Sequence, residues 1–490
     1  MEEQNSMKIN QLPSKTWYWL GLNDTKVKWA AGAPCEICAE EPSADDEITG
    51  FPEAMNTGAG KETDVLFAPE QTKNWNVSAK EGQTKQVTLS IGQGKETVSS
   101  GKIRAVAEEG ASLTVFEVFE PAQAAGQLAV RTELYAKKNS RIRLVQVMMR
   151  GEGQELLNDV GCICEENGAL DLLQVVVGKG DVYDGIWTEL QKDHASLQAE
   201  IGYLLQNQQK FDVNLNVRHF GKVTESTIQA DGTLMDAAEK IFRGTIDFVR
   251  GSADSVGAET EQVLLLGDDV VNKTIPVILC AEENVQGSHG AAIGELDEET
   301  LFYFGARGMD RTQAENTMAR AKLEAKIQKI GDADIEQKVK TQLAEVLDRD
   351  NREHQKKFPA SAANGHDLSG QRGDGTAPVM RSCCSTGILR TEKCKSSARI
   401  LSFKPGGDGE LSGGKKDRTG VYSCRRAGGD YFYPEYNGKP EPCGIQLWPE
   451  LFKGRRRDRC NNHGASQQSA SVADGVAYDW GKAPLSGMYQ

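Results

Sequence analysis

Period-two alternation dominates the middle of the chain. Gln86–Ile91 places Val87, Leu89 and Ile91 on one face, and Ile142, Leu144 and Val147 continue the theme. Leu197, Ala199, Ile201 and Tyr203 alternate cleanly. Phe211, Val213, Leu215 and Val217 do so again, with Asp212, Asn214, Asn216 and Arg218 opposite. One apolar face at period two is the pattern of a half-buried strand. Gly, Asn and Asp clusters separate the runs. From about residue 70 to 300 the chain therefore predicts strand after strand, interrupted by one short helical insert, Met235–Phe242. Many strands with few helices fit a sandwich, a barrel or a solenoid, and periodicity does not choose among them.

The period changes after Glu298. Leu323, Ile327 and Ile330 lie on one helical face, as do Ile335, Val339, Leu343 and Val346 beyond the break Gly331-Asp332. This predicts a helical hairpin, with Asp334 and Gln337 as a capping box. Ahead of the strands, Trp17, Tyr18 and Trp19 concentrate aromatic area and are expected to pack on the core. Residues 25–65 read as loops with short helices. The organisation expected is an N-terminal segment over 1–70, a β core over 71–300, a helical docking subdomain over 301–350 and a distinct tail over 351–490.

Charge separates that tail. Residues 1–350 carry 35 Lys/Arg against 57 Asp/Glu, a balance of −22. The chain totals are 57 and 71, so residues 351–490 carry 22 against 14, a balance of +8. Periodic apolar patterning stops at the same place. The net charge of −14 argues against non-specific nucleic-acid binding, which relies on cations neutralising phosphates. No apolar run approaches the length of a membrane span. The acidic, polar start MEEQNSMKIN resembles neither a secretory signal nor a transit peptide, so a cytoplasmic protein is expected.

Candidate chemistry is sparse. Gly92-Gln93-Gly94-Lys95-Glu96-Thr97 superficially resembles a phosphate-binding loop, but Leu89 and Glu96 stand where that motif needs Gly and Ser or Thr. A hairpin turn is the better reading, and no bound nucleotide is expected. Cys35 and Cys38 form a lone CxxC, half of a tetrahedral site at most. Cys162 and Cys164 share one strand face and read as small buried hydrophobes. His194 and His219 read as surface or core fillers. His289 differs: it lies in the small-residue stretch Asn284–Ala292, where an imidazole stays accessible as a transition-metal ligand.

The stretch Asn284–Met309, NVQGSHGAAIGELDEETLFYFGARGM, resembles the C-terminal signature of the SufB/SufD family of iron–sulfur cluster assembly proteins. Its HGA-x-x-G, LD, LFY and RG follow in that family's order. Leu12-Pro13 through Trp17 and Trp19, and Lys137–Arg141 ahead of a strand, fit as well, and the likeness covers about residues 7–350. Length and the N-terminal match favour the SufD side of the family. The resemblance implies a mainly β fold, a right-handed parallel β-helix, with C-terminal helices that dock the ATPase SufC. It implies pairing with SufB and no catalysis by this chain. It assigns His289 to an iron or nascent Fe–S cluster site at the SufB interface, with sulfur supplied indirectly by a cysteine desulfurase. Gly287 stands where some relatives carry a cysteine. The alternatives are a SufB-like direct scaffold and a β-helix enzyme acting on polysaccharide.

The tail matches nothing in that family. Back-translated and shifted by one nucleotide, residues 369–376 and 448–468 can encode strings that resemble SufS-type cysteine desulfurases. The expectation is a read-through of the neighbouring gene out of frame, with no selected structure and no metal site among its cysteines.

Overall fold

The computed structural model describes residues 5–357 except 17, 31, 40–47, 49, 69–71, 73, 94, 95 and 123, together with 423–426 and 429–432. The chain divides into two units, Met1–Gln371 and Arg372–Gln490. In the second, Ser423–Arg426 pairs antiparallel with Gly429–Phe432. The expectation for the rest of the tail lies outside the described residues.

The first unit opens with β1 (Asn5–Ile9), β2 (Thr25–Trp29), β3 (Ala33–Pro34), β4 (Glu36–Ala39) and β5 (Asn74–Ala79). Then come β6 (Thr84–Gly92), β7 (Val98–Ala107), β8 (Ser112–Phe119), β9 (Gly126–Ala136) and β10 (Arg141–Met148). These lead to β11 (Gln154–Cys164), β12 (Ala169–Val177), β13 (Asp181–Leu190), β14 (Ser196–Leu205) and β15 (Lys210–His219). The series ends with β16 (Glu225–Met235), β17 (Glu239–Phe248), β18 (Ser255–Leu266), β19 (Val271–Cys280) and β20 (Val285–Gly294). Three helices follow: α1 (Glu298–Gly305), α2 (Arg311–Ile327) and α3 (Ala333–Lys357).

Even-numbered strands β6–β20 form one parallel sheet and odd-numbered strands β7–β19 the other. The chain therefore crosses between sheets at every turn, which makes a parallel β-solenoid. In-register columns show the repeat. Val87, Val115, Leu144, Leu172, Ala199 and Ile228 stack through the even sheet at intervals of 27–29 residues. No single turn buries its inward face, so stability comes from stacking neighbours. The inward columns of both sheets merge into one apolar core, and each buried Leu, Ile or Val contributes ~1.5–3 kcal/mol.

Corners are set by left-handed backbone. Gly82, Gly110, Asn139, Asn167, His194, Val223 and Asp254 all have positive φ. Each donates its N–H to the turn above, as Asn139 does to the Glu166 carbonyl and His194 to that of Lys222. Gly and Asn visit this region readily, and the side chains of Asn139 and Asn167 bond to each other at 2.9 Å. Val223, at φ 54°, is β-branched and strained there.

Both solenoid faces are covered outside. Leu323, Ile327, Ile335, Val339 and Leu343 of α2 and α3 pack on Phe116, Val145, Leu173 and Val175. Lys326 seals this contact, with its Nζ 2.8 Å from Glu200 and 2.9 Å from Asp231. On the other sheet the antiparallel pair β1–β2 buries Met7, Ile9, Val27 and Trp29 against Ala129, Leu157 and Tyr183.

Several expectations are corrected. Residues 25–39 hold strands because β3 and β4 pair with the first turn of the solenoid, which neither local pattern nor propensity signals. Met235 and Glu239–Phe248 are strand, with only a corner between them; the helical spacing of Met235–Phe242 comes from residues on two strands. The capping box is Asp310 with Gln313, at the start of α2. Asp332, not Asp334, accepts the Ile335 N–H at 3.0 Å and so begins α3. Tyr18 and Trp19 are 91% and 76% exposed rather than packed, since β1 and β2 already cover that face; Trp17 lies outside the described residues. β6 and β7, the strands on either side of residues 93–97, lie in different sheets and so do not form a hairpin.

The core is not wholly apolar. Glu117, Gln146, Asn158, Gln174 and Asp184 are fully buried at inward positions. The Gln146 amide donates to Glu117 at 2.7 Å, and Asn158 donates to Asp184 at 2.7 Å. Burial pushes both carboxyls up to about 7, against the pull of these hydrogen bonds. The folded state thus holds these protons more tightly than the unfolded chain. Their contribution to stability is full below about pH 4, where the unfolded carboxyls are also protonated, and is lost as pH rises to about 7. Asp184→Asn keeps the acceptor oxygen and removes the buried charge. Urea denaturation should show it more stable than the wild type by ~1–3 kcal/mol at alkaline pH, and not below about pH 4. An equal effect at both pH values would contradict this account.

Candidate functional site

The solenoid ends on a rung that no described residue covers. β19 and β20 are the last strands of their sheets, each paired on one side only among the described residues. β18, one turn below, alternates between buried and exposed positions; β20 is exposed almost throughout. Inward-facing residues of this rung are therefore open to solvent, because among the described residues no further turn stacks on them.

His289 occupies such a position. It is the register partner of Glu259 in β18, which follows Ile228 in the inward column. The column is apolar from Val87 to Ile228 and ends on a carboxyl and an imidazole. Small neighbours flank the histidine on the same face: Gly287 on one side and Ala291 on the other. The ring is exposed, and among the described residues no hydrogen bond or ion pair engages it. A β carbon at residue 287 would approach Phe248 Cε2 to 3.1 Å and Ile278 Cγ2 to 3.2 Å, so glycine fits this site closely.

A charged cluster lies just beneath. Lys240 of β17 and Glu261 of β18 form an ion pair with both side chains essentially inaccessible. Glu261 also accepts from Thr274 at 2.6 Å and from the Tyr203 hydroxyl at 3.3 Å. Glu259 is 3% exposed. Burial, reinforced by the nearby Glu261 and opposed by Lys240, pushes its carboxyl up to about 7. Its carboxylate fills the space where a side chain at Gly244 would stand.

The other candidates lie elsewhere. His219 is buried, with ring nitrogens 2.7 Å from the Thr224 hydroxyl and 2.9 Å from that of Ser226. Burial pushes it down to about 4, so it is a neutral core residue. His194 is an exposed corner residue. Cys162 and Cys164 are fully buried with sulfurs 3.8 Å apart. Burial pushes the Cys35 thiol up to about 12, far from thiolate character, whereas Cys38 is exposed. Among the described residues no group of three or more His, Cys, Asp or Glu is placed to hold a metal ion. Lys240, Glu259 and Glu261 escaped the sequence reading. For the two glutamates a signal was available in Ser255–Val263, where inward positions carry Glu in place of the expected apolar residues.

Comparison with known proteins identifies the solenoid. Residues 90–322 match the model of the SUF system FeS cluster assembly, SufBD core domain. The chain is 26% identical over 174 residues to the iron–sulfur cluster assembly protein SufD of Bacillus subtilis, covering 36% of this chain and 39% of that one. It is 26% identical over 112 residues to SufD of Escherichia coli, covering 23% and 26%. A SufBD family protein of Archaeoglobus fulgidus matches at 24% over 232 residues, covering 46% and 61%. The matched stretch spans less than two thirds of each of these relatives. No described helix is long and apolar enough to cross a membrane.

Proposed function

We propose that this chain, a member of the SufB/SufD family through its residues 90–322, is a SufD-like, non-catalytic subunit of a SUF iron–sulfur cluster assembly complex. The observation that carries the reading is the uncovered terminal rung with His289 at its inward face. Unpaired strand edges are templates for pairing with another chain. A SufB partner that continues both sheets would enclose the imidazole between the two proteins. Neutral imidazole is a good ligand for iron, which here is cargo shared with SufB. The helices, with Phe302 and Tyr303 exposed on α1, would dock the ATPase SufC. Sulfur would come indirectly from a cysteine desulfurase. The buried carboxyls Glu117 and Asp184 face the solenoid interior rather than an outer groove, which favours a scaffold over a polysaccharide-active enzyme.

Co-expression with the SufB-family and SufC-family proteins of the same genome tests this. The three should co-elute, and anaerobic reconstitution should give strong visible absorption only when SufB is present. A chain that stays alone beside both partners would sink the proposal. Strong absorption by the chain alone would favour the direct-scaffold reading.

A further inference from the structure

The last covered turn of the solenoid buries two acidic side chains against one basic one. Lys240, Glu259 and Glu261 all point into the interior there and all are buried. The Lys240 ammonium is committed to Glu261, with Thr274 as a second partner at 3.2 Å. Glu259 has no hydrogen-bond donor among the described residues. Behind it in the column stands Ile228, and across from it stands Gly244. With both carboxyls ionised, two carboxylates and one ammonium would leave a deficit of one positive charge. A buried carboxylate without a donor is costly to ionise, and a cation beside it would remove that cost. The column continues toward the open end, and its next residue is His289.

We propose that Glu259 is the second ligand this chain offers to the metal ion handled at His289. The inference rests on the reading of His289 given above and extends it by one residue. Adjacent strands lie ~4.8 Å apart, so in-register side chains on one face can converge on a single ion. A carboxylate oxygen and an imidazole nitrogen form a mixed set suited to ferrous iron and similar divalent ions. Gly244 gives the carboxylate its place. Gly287 and Ala291 leave the imidazole room to turn inward toward it. The remaining coordination positions face the open end, where a partner or solvent supplies them. Glu259 thus provides, from one turn below, the second ligand that Gly287, without a side chain, cannot.

Manganese(II) is a suitable probe, because it favours oxygen and nitrogen ligands over the thiolates elsewhere in the chain. Binding to the full chain is read from the loss of the free-ion EPR signal, at about 0.15 M salt to screen surface carboxylates. The wild type should hold one ion more tightly than the rest. Glu259→Gln and His289→Ala should each weaken that site about tenfold or more. Glu259→Asp, which keeps a carboxylate, should bind more tightly than Glu259→Gln. Thermal melts establish that each variant is folded, and removal of a buried charge should not lower the Glu259→Gln midpoint. Binding by Glu259→Gln equal to the wild type overturns the proposal. So does a wild type with no site above the surface background. Neither result touches the subunit assignment, which co-elution with the partners tests separately.

Discussion

His289→Ala is expected to abolish iron–sulfur maturation while leaving the stability of the folded chain unchanged. The two halves of this result have separate causes. The imidazole is exposed and is not hydrogen-bonded to its own chain among the described residues. Its removal should therefore stay within about 0.5 kcal/mol, as for other surface substitutions. On the function proposed above, a partner's rung would close over the end of the solenoid and make the imidazole a nitrogen ligand between the two chains. Cells relying on this chain for their SUF system should lose iron–sulfur enzyme activity by about tenfold or more, a loss of the size that removing a supporting group at a metal site brings. The denaturation midpoint should match the wild type. Retained maturation would remove His289 from the site. Lost maturation together with a lowered midpoint would mean that its role is structural.

Arg243→Met should destabilise the chain by ~3–5 kcal/mol, the cost of leaving a buried charge without its partner. Arg243 is fully buried where β1 and β2 meet the solenoid. Its Nη1 lies 2.6 Å from Asp212, Nε donates to the Leu22 carbonyl at 2.7 Å, and Nη2 donates to the Thr25 hydroxyl at 3.0 Å. Asp212 also accepts from Asn10 at 2.7 Å. Methionine replaces the aliphatic stem but none of these donors, and it strands the Asp212 carboxylate. The N-terminal segment should then detach first, giving new proteolytic cuts between β1 and β2. Replacing both partners, Arg243→Met with Asp212→Leu, should recover much of the loss, because a buried pair is often no better than well-packed apolar residues. Urea denaturation measures both. A single-variant loss under ~1 kcal/mol would show that this pair does not anchor the segment.

Alternation of apolar and polar residues was enough to place the strands of Leu197–Tyr203 and Phe211–Val217. Helical spacing likewise identified the buried stripe Leu323–Val346, and small neighbours around His289 marked it as accessible. These features are local: each depends on which side of one element is apolar, and that is written in the order of residues. Whether the strands made a sandwich, a barrel or a solenoid was not local. An apolar face says that a strand is covered, not which strands take its edges, and pairing in the even-numbered sheet joins residues 27–31 apart along each column. Pairing across the first turn likewise made strands of β3 and β4, and two strands meeting at a corner imitated a helix at Met235–Phe242. The resemblance to the SufB/SufD family resolved the solenoid where periodicity did not. Only the tertiary structure showed that Glu259 lies beneath His289, that Lys240 is committed to Glu261, and that the last rung is uncovered. The physical reason is that burial and charge balance at a site depend on stacking between turns, and stacking is decided by the whole chain at once.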